Sequence, residues 1–534
     1  MKRLIATIDC ETDPFKHGRV PEPFIWGIYD GTEFKYFQDT EEFVGYIRDK
    51  HCLLYAHNGG KFDFMFLLSY VNISRVKIIK SRLVEMQIGK ATLRDSWSII
   101  PIALADYQKQ AFDYWKLERH CRREHMPEIV DYLRSDCRNL YRLVMEYRKQ
   151  AGTRLTIASN ALAFSKKLDI DIGKSSKKFD DIFRKFYFGG RCEAFVNGVQ
   201  NNVDLYDIKS AYPFAMTFQH PTGIDFTYSD NISKFNNERL QKCFIDIECH
   251  SCGAFPIRER NGLCFPHDFN RYFVTGWEFT TAIRYNLIHD IVIHGVYEFY
   301  NTVDFIPYVA HWFTHKEEAH RKKDKANTII GKIMLNSLYG KLCQDPTVYK
   351  DYKIMAGGSE IEEGWDLESE FGDKEIHSHP VLYDLQMRHG LDWVHKPIYY
   401  NVATGASITG YVRAMLLEAI HRVGTHNALY VDTDCLFVKS NGASTNIETG
   451  NQLGQWDWKG RADAFYCAGR KLYGAELVEG PEKGIKIATK GARLTFAEIK
   501  RITNGERVIW KSEAPSFSFD KSPQFVVRSI RATA

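Results

Sequence analysis

At 534 residues, with 44% hydrophobic and 14% aromatic content, the chain is too long for one core and too apolar to be disordered, so two or more folded domains are expected. Lys plus Arg number 71 against 67 Asp plus Glu, a formal charge of +4, which excludes a uniformly basic nucleic-acid binder and confines phosphate contacts to local clusters. No stretch is long and apolar enough to span a membrane, and the apolar start is too short for a signal peptide; a monomer in a cytoplasmic setting, with no membrane partner and twelve reduced cysteines, is expected. The basic clusters are residues 119–123, residues 174–178, and Arg321-Lys322-Lys323 with Lys325, each of which also reads as a solvated face.

Residues 4–9 read as a short strand that delivers Asp9 and, two positions later on the same side, Glu11, with Thr12 next. A second strand over 52–56 runs into His57-Asn58-Gly59-Gly60-Lys61-Phe62-Asp63, a glycine-containing loop at the head of a helix that starts near Asp63. Residues 132–147 have helical apolar spacing, with Tyr132 and Asp136 one turn apart on a shared face. Four carboxylates from three segments, Asp9, Glu11, Asp63 and Asp136, suit two-metal phosphodiester hydrolysis: one ion activates water, the other stabilises the leaving oxygen, and a tyrosine hydroxyl orients the water. A D-x-E alone says little, and Asp246 with Glu248 is a second copy that reads as structural. Cys249-x-x-Cys252 and Cys264-x-x-His267 have zinc-site spacing, but the alternation over 244–249 and a strand returning over 254–257 favour a plain hairpin.

The basic stretch 174–185 leads to Tyr187-Phe188-Gly189-Gly190, where paired glycines permit a sharp turn or a close backbone approach. Residues 203–208 read as a strand ending at Asp207 and Ile208, then a turn through Ser210, Ala211 and Tyr212 stopped by Pro213. In Lys332-Ile333-Met334-Leu335-Asn336-Ser337-Leu338-Tyr339-Gly340, helical spacing puts Lys332, Asn336 and Tyr339 along one face; a lysine there suits a triphosphate and a flat ring suits a base pair. Tyr430-Val431-Asp432-Thr433-Asp434 sets two carboxylates at the tip of a buried hairpin. Acids this close repel unless a hard cation separates them, which points to magnesium, with manganese able to replace it. Asp207 supplies the opposing acid, so that two ions can be held, one lowering the pKa of a primer hydroxyl and one clamping a triphosphate.

In this order the motifs resemble family B DNA polymerases, in the protein-primed branch that small tailed phages use with a terminal protein. The resemblance implies an α/β (α+β) multidomain fold, with an RNase H-like exonuclease followed by a right-hand palm, fingers and thumb carrying two insertions. The implied boundaries are 1–160 for the 3′→5′ exonuclease, 161–206 for a linker with the Y-x-G-G element, 207–275 for the first part of the palm, 276–320 for an insertion facing the priming protein, 321–345 for the fingers, 346–398 for an insertion serving strand displacement, 399–478 for the rest of the palm and 479–534 for the thumb. About 125 residues separate Asp207 from Lys332 and about 90 separate Gly340 from Tyr430, which leaves room for both insertions; the acidic stretch 357–375 reads as an exposed excursion.

By the same resemblance Thr12, Asn58 and Phe62 grip a frayed single-stranded 3′ end, Lys109 meets the scissile phosphate, and Ser96 with Trp97, where the family has leucine, touches the single strand. Tyr187, Gly189 and Gly190 contact the template and pass the primer between sites, and Ile208 stands beside Asp207 as a metal and nucleotide contact. Tyr212 is the steric gate, with Ala211 where leucine is usual; Lys332, Asn336 and Tyr339 meet the deoxynucleoside triphosphate, and Ser210, Ser337 and Gly340 touch DNA. Lys471 and Tyr473, alternate residues of a strand, hold the primer end, while Lys483, Lys486, Lys490 and Arg493 of the thumb track the duplex. Cys435 replaces the usual serine. The competing expectations are a nucleic-acid-primed family B polymerase and, from another class, a catalytically dead DNA-binding scaffold.

Overall fold

The computed structural model describes residues 3–71, 74–260, 262–381, 398–441, 446–519 and 521–533. Strand alternation sorts the first sheet. Leu4–Thr12 lies parallel to Cys52–Ala56 and antiparallel to Pro23–Tyr29, and Ala91–Asp95 runs parallel on the far side of Cys52–Ala56. Ala6, Ile8 and Cys10 share a core with Phe43, Val44 and Ile47 of the helix Thr40–Arg48. The residues of opposite parity face the helix Met126–Gln150, where the Thr7 hydroxyl donates to the Cys137 carbonyl at 2.7 Å. Period two thereby carries Asp9 and Glu11 to the side of that helix.

This sheet has ten strands, because Ser74–Ile79 is not left as an open edge. Tyr352 pairs with Val76, and Lys350–Ala356 is followed by Lys374–Pro380 and Asp366–Phe371. The acidic stretch expected as an exposed excursion is largely exposed, but its second half is a paired strand, and the flanking Ile354 and Ile376 are buried in the core of this sheet. Residues 382–397 of that expected insertion lie outside the described residues.

A second sheet of seven antiparallel strands has the order Gly484–Thr489, Leu472–Glu479, Trp456–Gly469, Gly198–Ile208, Cys435–Lys439, Ala428–Asp432, Cys192–Ala194. The helix Val402–Val423 is buried along most of its length, and Leu416, Ile420 and Val423 pack against Val431, Leu436 and Val438 of the hairpin. The strand expected from 203 begins at Gly198, so residues 192–194 and 198–206 of the expected linker belong to the sheet, which runs on to Thr489, past the boundary expected at 478.

The segment 276–320 is not a separate body. Ile288–Val303 sits inside a four-stranded sheet between His220–Ser229 and Cys243–Ser251, with Phe269–Thr275 beyond, and Ile306–Arg321 packs on Lys325–Leu335 as a helical pair. The strand expected over 254–257 does not return along Cys243–Ser251; Phe269–Thr275 does. Cys249 is buried in the core of this sheet, Cys252 is exposed, and Cys264 lies in the short hairpin formed with Ile257–Glu259. Asp246 pairs with Arg271 at 2.8 Å and Glu248 with His294 at 3.1 Å, in keeping with a structural role.

Candidate active sites

Asp9, Glu11, Thr12, Phe62, Lys109, Tyr132 and Asp136 line one cleft of about 470 Å³. Asp63 stands just behind it, 1% exposed, accepting from the Cys10 backbone N–H at 3.2 Å. It begins a 3₁₀ segment, Asp63–Tyr70, where an α-helix was expected. Lys109 Nζ lies 3.7 Å from Asp136 Oδ2, and the Tyr132 ring stacks on Phe112 at 4.4 Å with its hydroxyl 3.2 Å from that of Tyr114.

Burial raises Asp9 well above the usual carboxylate range, and repulsion from Asp63, Glu11 and Asp136 adds to it. Glu11 is pushed up to about 8 by burial and then by Asp136, with Lys109 acting the other way; Asp63 is pushed to about 7, mainly by burial. In the metal-free protein Glu11 therefore holds its proton up to about pH 8, while the unfolded chain releases it near 4.5. Its contribution to stability is fully present below 4.5 and is lost as pH rises through 8. Glu11→Gln removes that titration. In a metal chelator the variant is expected to melt a few degrees above the parent at pH 8 and with it at pH 4.5; equal melting at pH 8 would count against the repulsive cluster.

Asn58 takes a left-handed backbone (φ 64°) and accepts from Arg82 Nη1 at 2.8 Å, the same nitrogen that reaches Asp95 Oδ2 at 2.6 Å. Asp95 then caps the turn Ser96–Ser98. Ser96 is fully buried, its hydroxyl donating to the Ala56 carbonyl at 3.1 Å with His57 Nδ1 at 2.9 Å, so the expected strand contact by this residue is corrected to a structural bond. Trp97 is half-buried under the Arg82 guanidinium, 5.3 Å from its ring centre.

Asp207, Asp432 and Asp434 line a second cleft, of about 390 Å³, with Lys459, Lys471, Tyr473 and Lys486. The hairpin is as expected: Asp432 faces Cys435 in register, Cys435 faces Asp207 on the next strand, and Thr433 turns between them at φ 65°. The Ile208 N–H donates to the Asp434 carbonyl at 2.7 Å, which locks the two acidic ends together. Burial, then Asp207 and Asp432, push Asp434 up to about 7. Lys471 Nζ is 3.0 Å from Asp432 Oδ1, but Lys471 (φ 53°) lies in the turn before Leu472–Glu479 and not on the strand with Tyr473. Lys490 (φ 49°) donates its N–H to the Lys471 carbonyl at 2.8 Å.

Tyr212 follows Ser210 (φ 55°) on a short helix and stacks on Tyr339 at 4.4 Å and 13°. The single helix expected over 332–340 is broken. Asn336 and Ser337 both donate side-chain bonds back to carbonyls, Asn336 Nδ2 to Lys332 at 2.9 Å and Ser337 Oγ to Ile333, and these local bonds compete with helix continuation between Lys325–Leu335 and Leu338–Leu342. Lys332, Asn336 and Gly340 are exposed. Gly190 fits beneath the hairpin so closely that a Cβ there would lie 2.9 Å from both Thr433 Cγ2 and the Tyr212 hydroxyl, whereas Gly189 has open space. The Phe188 and Gly189 carbonyls accept from Arg413 Nη1 at 2.6 and 2.9 Å, and the Tyr187 carbonyl accepts from Arg258.

Sequence reading gave Arg493 and Lys486 only a place along the duplex, and it missed Glu513, Phe517 and Lys459. Arg493 and Glu513 line the first cleft, and Phe517 packs on Phe62 at 5.6 Å; no local signal announces a contact that closes over more than 400 residues of chain. Lys459 Nζ lies 4.0 Å from Asp207 Oδ2 and 3.0 Å from both Asp457 Oδ2 and Glu482 Oε1, and Lys486 pairs with Glu482. Of the basic clusters, residues 119–123 are used structurally: Arg119 and Arg122 both reach the buried Asp13, at 3.1 and 3.4 Å.

Among the described residues no three His, Cys, Asp or Glu side chains stand as a finished metal cage. The donor chemistry nevertheless fits hard divalent ions. Asp136 Oδ1 is buried without a hydrogen-bond partner, and the raised acids of both clefts are oxygen ligands packed with too little positive charge.

The profile of the family "DNA polymerase type B, organellar and viral" matches residues 105–390. The DNA-directed DNA polymerase of Enterobacteria phage PRD1 is 34% identical over 99% of this chain and 98% of its own, and the DNA polymerase of Streptococcus phage Cp-1 is 25% identical over 92% and 87%. Among solved structures, phi29 DNA polymerase in an orthorhombic crystal form superposes with a TM-score of 0.75 at 16% identity, covering 99% of this chain and 100% of that one. The same polymerase complexed with primer-template DNA and incoming nucleotide substrates gives 0.74 at 17%, covering 100% of each chain. These two establish the mixed α/β, multidomain polymerase fold. With the family profile and the PRD1 relative beside them, the chain belongs to the family B DNA polymerases, in the protein-primed branch of the PRD1 and phi29 type, and is a DNA-directed DNA polymerase.

Proposed function

We propose that nucleotide addition takes place at the cleft of Asp207, Asp432 and Asp434, and 3′→5′ proofreading at the cleft of Asp9, Glu11, Asp63 and Asp136. The observation that carries this reading is the division of the acids between two separate clefts, one with Lys109 and the other with Lys459, Lys471 and Lys486. Two magnesium ions at each cleft, held by those carboxylates and in the palm also by Ile208, would make a hydroxyl or a water nucleophilic and neutralise the departing phosphate.

Around them the side chains position and select. In the nuclease cleft Lys109 presents its charge to the scissile phosphate, and burial keeps the Tyr132 hydroxyl protonated so that it can orient water. Thr12, Phe62 and, beside the cleft, Asn58 hold the frayed end, with Trp97 offering a ring edge to the single strand. In the palm the stacked rings of Tyr212 and Tyr339 make a stiff floor: Tyr212 fills the space of a ribose 2′-hydroxyl, and Tyr339 meets the base pair. Lys332 and Asn336 meet the triphosphate, Lys471 and Tyr473 hold the primer end, and Ser210, Ser337 and Gly340 touch DNA. Tyr187, Gly189 and Gly190 contact the template, and the fit of Gly190 under Thr433 and Tyr212 ties that turn to the nucleotide floor.

The partners are primer-template DNA and a terminal protein whose hydroxyl starts the strand; that a polymerase of the same fold has been solved with primer-template DNA supports the first. Segments within 276–320 are the proposed face for the priming protein, and 346–398 the proposed aid to strand displacement. On a primed single-stranded circle, with magnesium, four deoxynucleotides and no other protein, products many times the circle length are expected. Products that stop at one circle would remove strand displacement and favour nucleic-acid priming.

A further inference from the structure

The face of the helix Met126–Gln150 that turns away from the nuclease core carries Arg134, Arg138 and Arg142, each one turn from the next. Like charges one turn apart repel and weaken a helix, so three in a row call for an anion or for some other use of the side chains. Some use is visible: Arg134 pairs with Asp131 at 2.6 Å and lies over Phe34, and Arg138 lies 5.4 Å from the Tyr29 ring centre. Stacking on a ring leaves the in-plane N–H donors of a guanidinium free. Among the described residues neither Arg138 nor Arg142 forms an ion pair, and both are exposed.

These arginines line a groove of about 390 Å³ whose other wall is Gln108 and Gln110. Its one carboxylate is Asp131, already paired with Arg134. The wall is extended at Gln108 (φ −159°, ψ 115°), so alternate side chains part: Gln108 and Gln110 line the groove, while Lys109 between them lines the nuclease cleft and reaches Asp136. Asn139 Nδ2 donates to the Gln108 carbonyl at 3.2 Å and ties this wall to the arginine helix. Planar guanidinium forks beside amide donors match the oxygens of a phosphate.

We infer that this groove is a second phosphate-binding site of the nuclease half, separated from the catalytic cleft by Lys109 and holding a nucleotide phosphate. Two sources share that chemistry: the backbone of single-stranded DNA, and the monophosphate released by 3′→5′ cleavage. The inference rests on the proposed exonuclease for its purpose, but not for its measurement.

The test is a double variant, Arg138→Gln with Arg142→Gln, in the full-length protein, beside Arg138→Lys with Arg142→Lys, which keeps the charge. Binding of a fluorescent oligo(dT) is followed by anisotropy in a metal chelator, where nothing is cleaved, across a salt series. Binding of dTMP is measured separately by calorimetry in the same chelator. If the groove holds the strand, the glutamine variant should bind about tenfold more weakly, with a salt slope shallower by about 1 to 1.5, two lost single-strand phosphate contacts at about 0.7 each, and the lysine variant should recover much of the loss. If it holds the released monophosphate, oligo(dT) binding is unchanged and dTMP binds the glutamine variant about tenfold more weakly. Unchanged oligo(dT) affinity, salt slope and dTMP affinity, in a variant that melts with the parent, would overturn the site. Because Asp9→Ala tests the nuclease by cleavage and this experiment tests the groove by binding, either can fail alone.

Discussion

Asp434→Ala is expected to lose primer extension by about three orders of magnitude or more while still degrading a single-stranded 3′ end. Asp434 lies at the end of a hairpin whose backbone is fixed from both sides, by the register of Asp432 with Cys435 and by the bond from the Ile208 N–H, so the substitution should leave the scaffold standing. What it removes is an acid that burial and two neighbouring carboxylates already hold at about 7, one third of the negative charge that the cleft offers a cation. Losing several kcal/mol of transition-state stabilisation corresponds to about a thousandfold in rate. The alanine also relieves repulsion, so the metal-free variant should be no less stable than the parent.

The second large effect is the mirror image. Asp9→Ala should reduce 3′→5′ degradation by a similar factor and leave extension of a matched primer intact, so that mispaired ends are retained. Asp9 lines the first cleft, and burial, then Asp63, Glu11 and Asp136, raise its pKa well above the usual carboxylate range. The palm acids line a different cleft, on another sheet, and share no side chain with it.

The acids were legible in the sequence because strand parity and one helical turn are local rules. Asp9 and Glu11 share a face by period two, Tyr132 and Asp136 by one turn, and Asp432 and Asp434 flank a turn that their own apolar flanks define. Where two local rules compete, spacing misleads: the periodicity of residues 332–340 predicts one helix, but Asn336 and Ser337 bond back to carbonyls and end it. Ser96 matched a motif while its burial was invisible, since that depends on Ala56 and His57 from another strand. Long-range pairing was the least legible. Nothing near Ser74–Ile79 points to Lys350–Ala356 as its partner, and nothing near Arg493 points to the cleft of Asp9 and Glu11.

The most direct test of two separate sites in one chain is the fate of a labelled, mispaired 3′-terminal nucleotide on a primer-template, with magnesium and all four deoxynucleotides. The parent should release the label as a mononucleotide and then extend. Asp434→Ala should release it without extending, and Asp9→Ala should retain it. If either single substitution abolished both release and extension in a protein that still melts with the parent, the two clefts would not be independent sites and the account would fail.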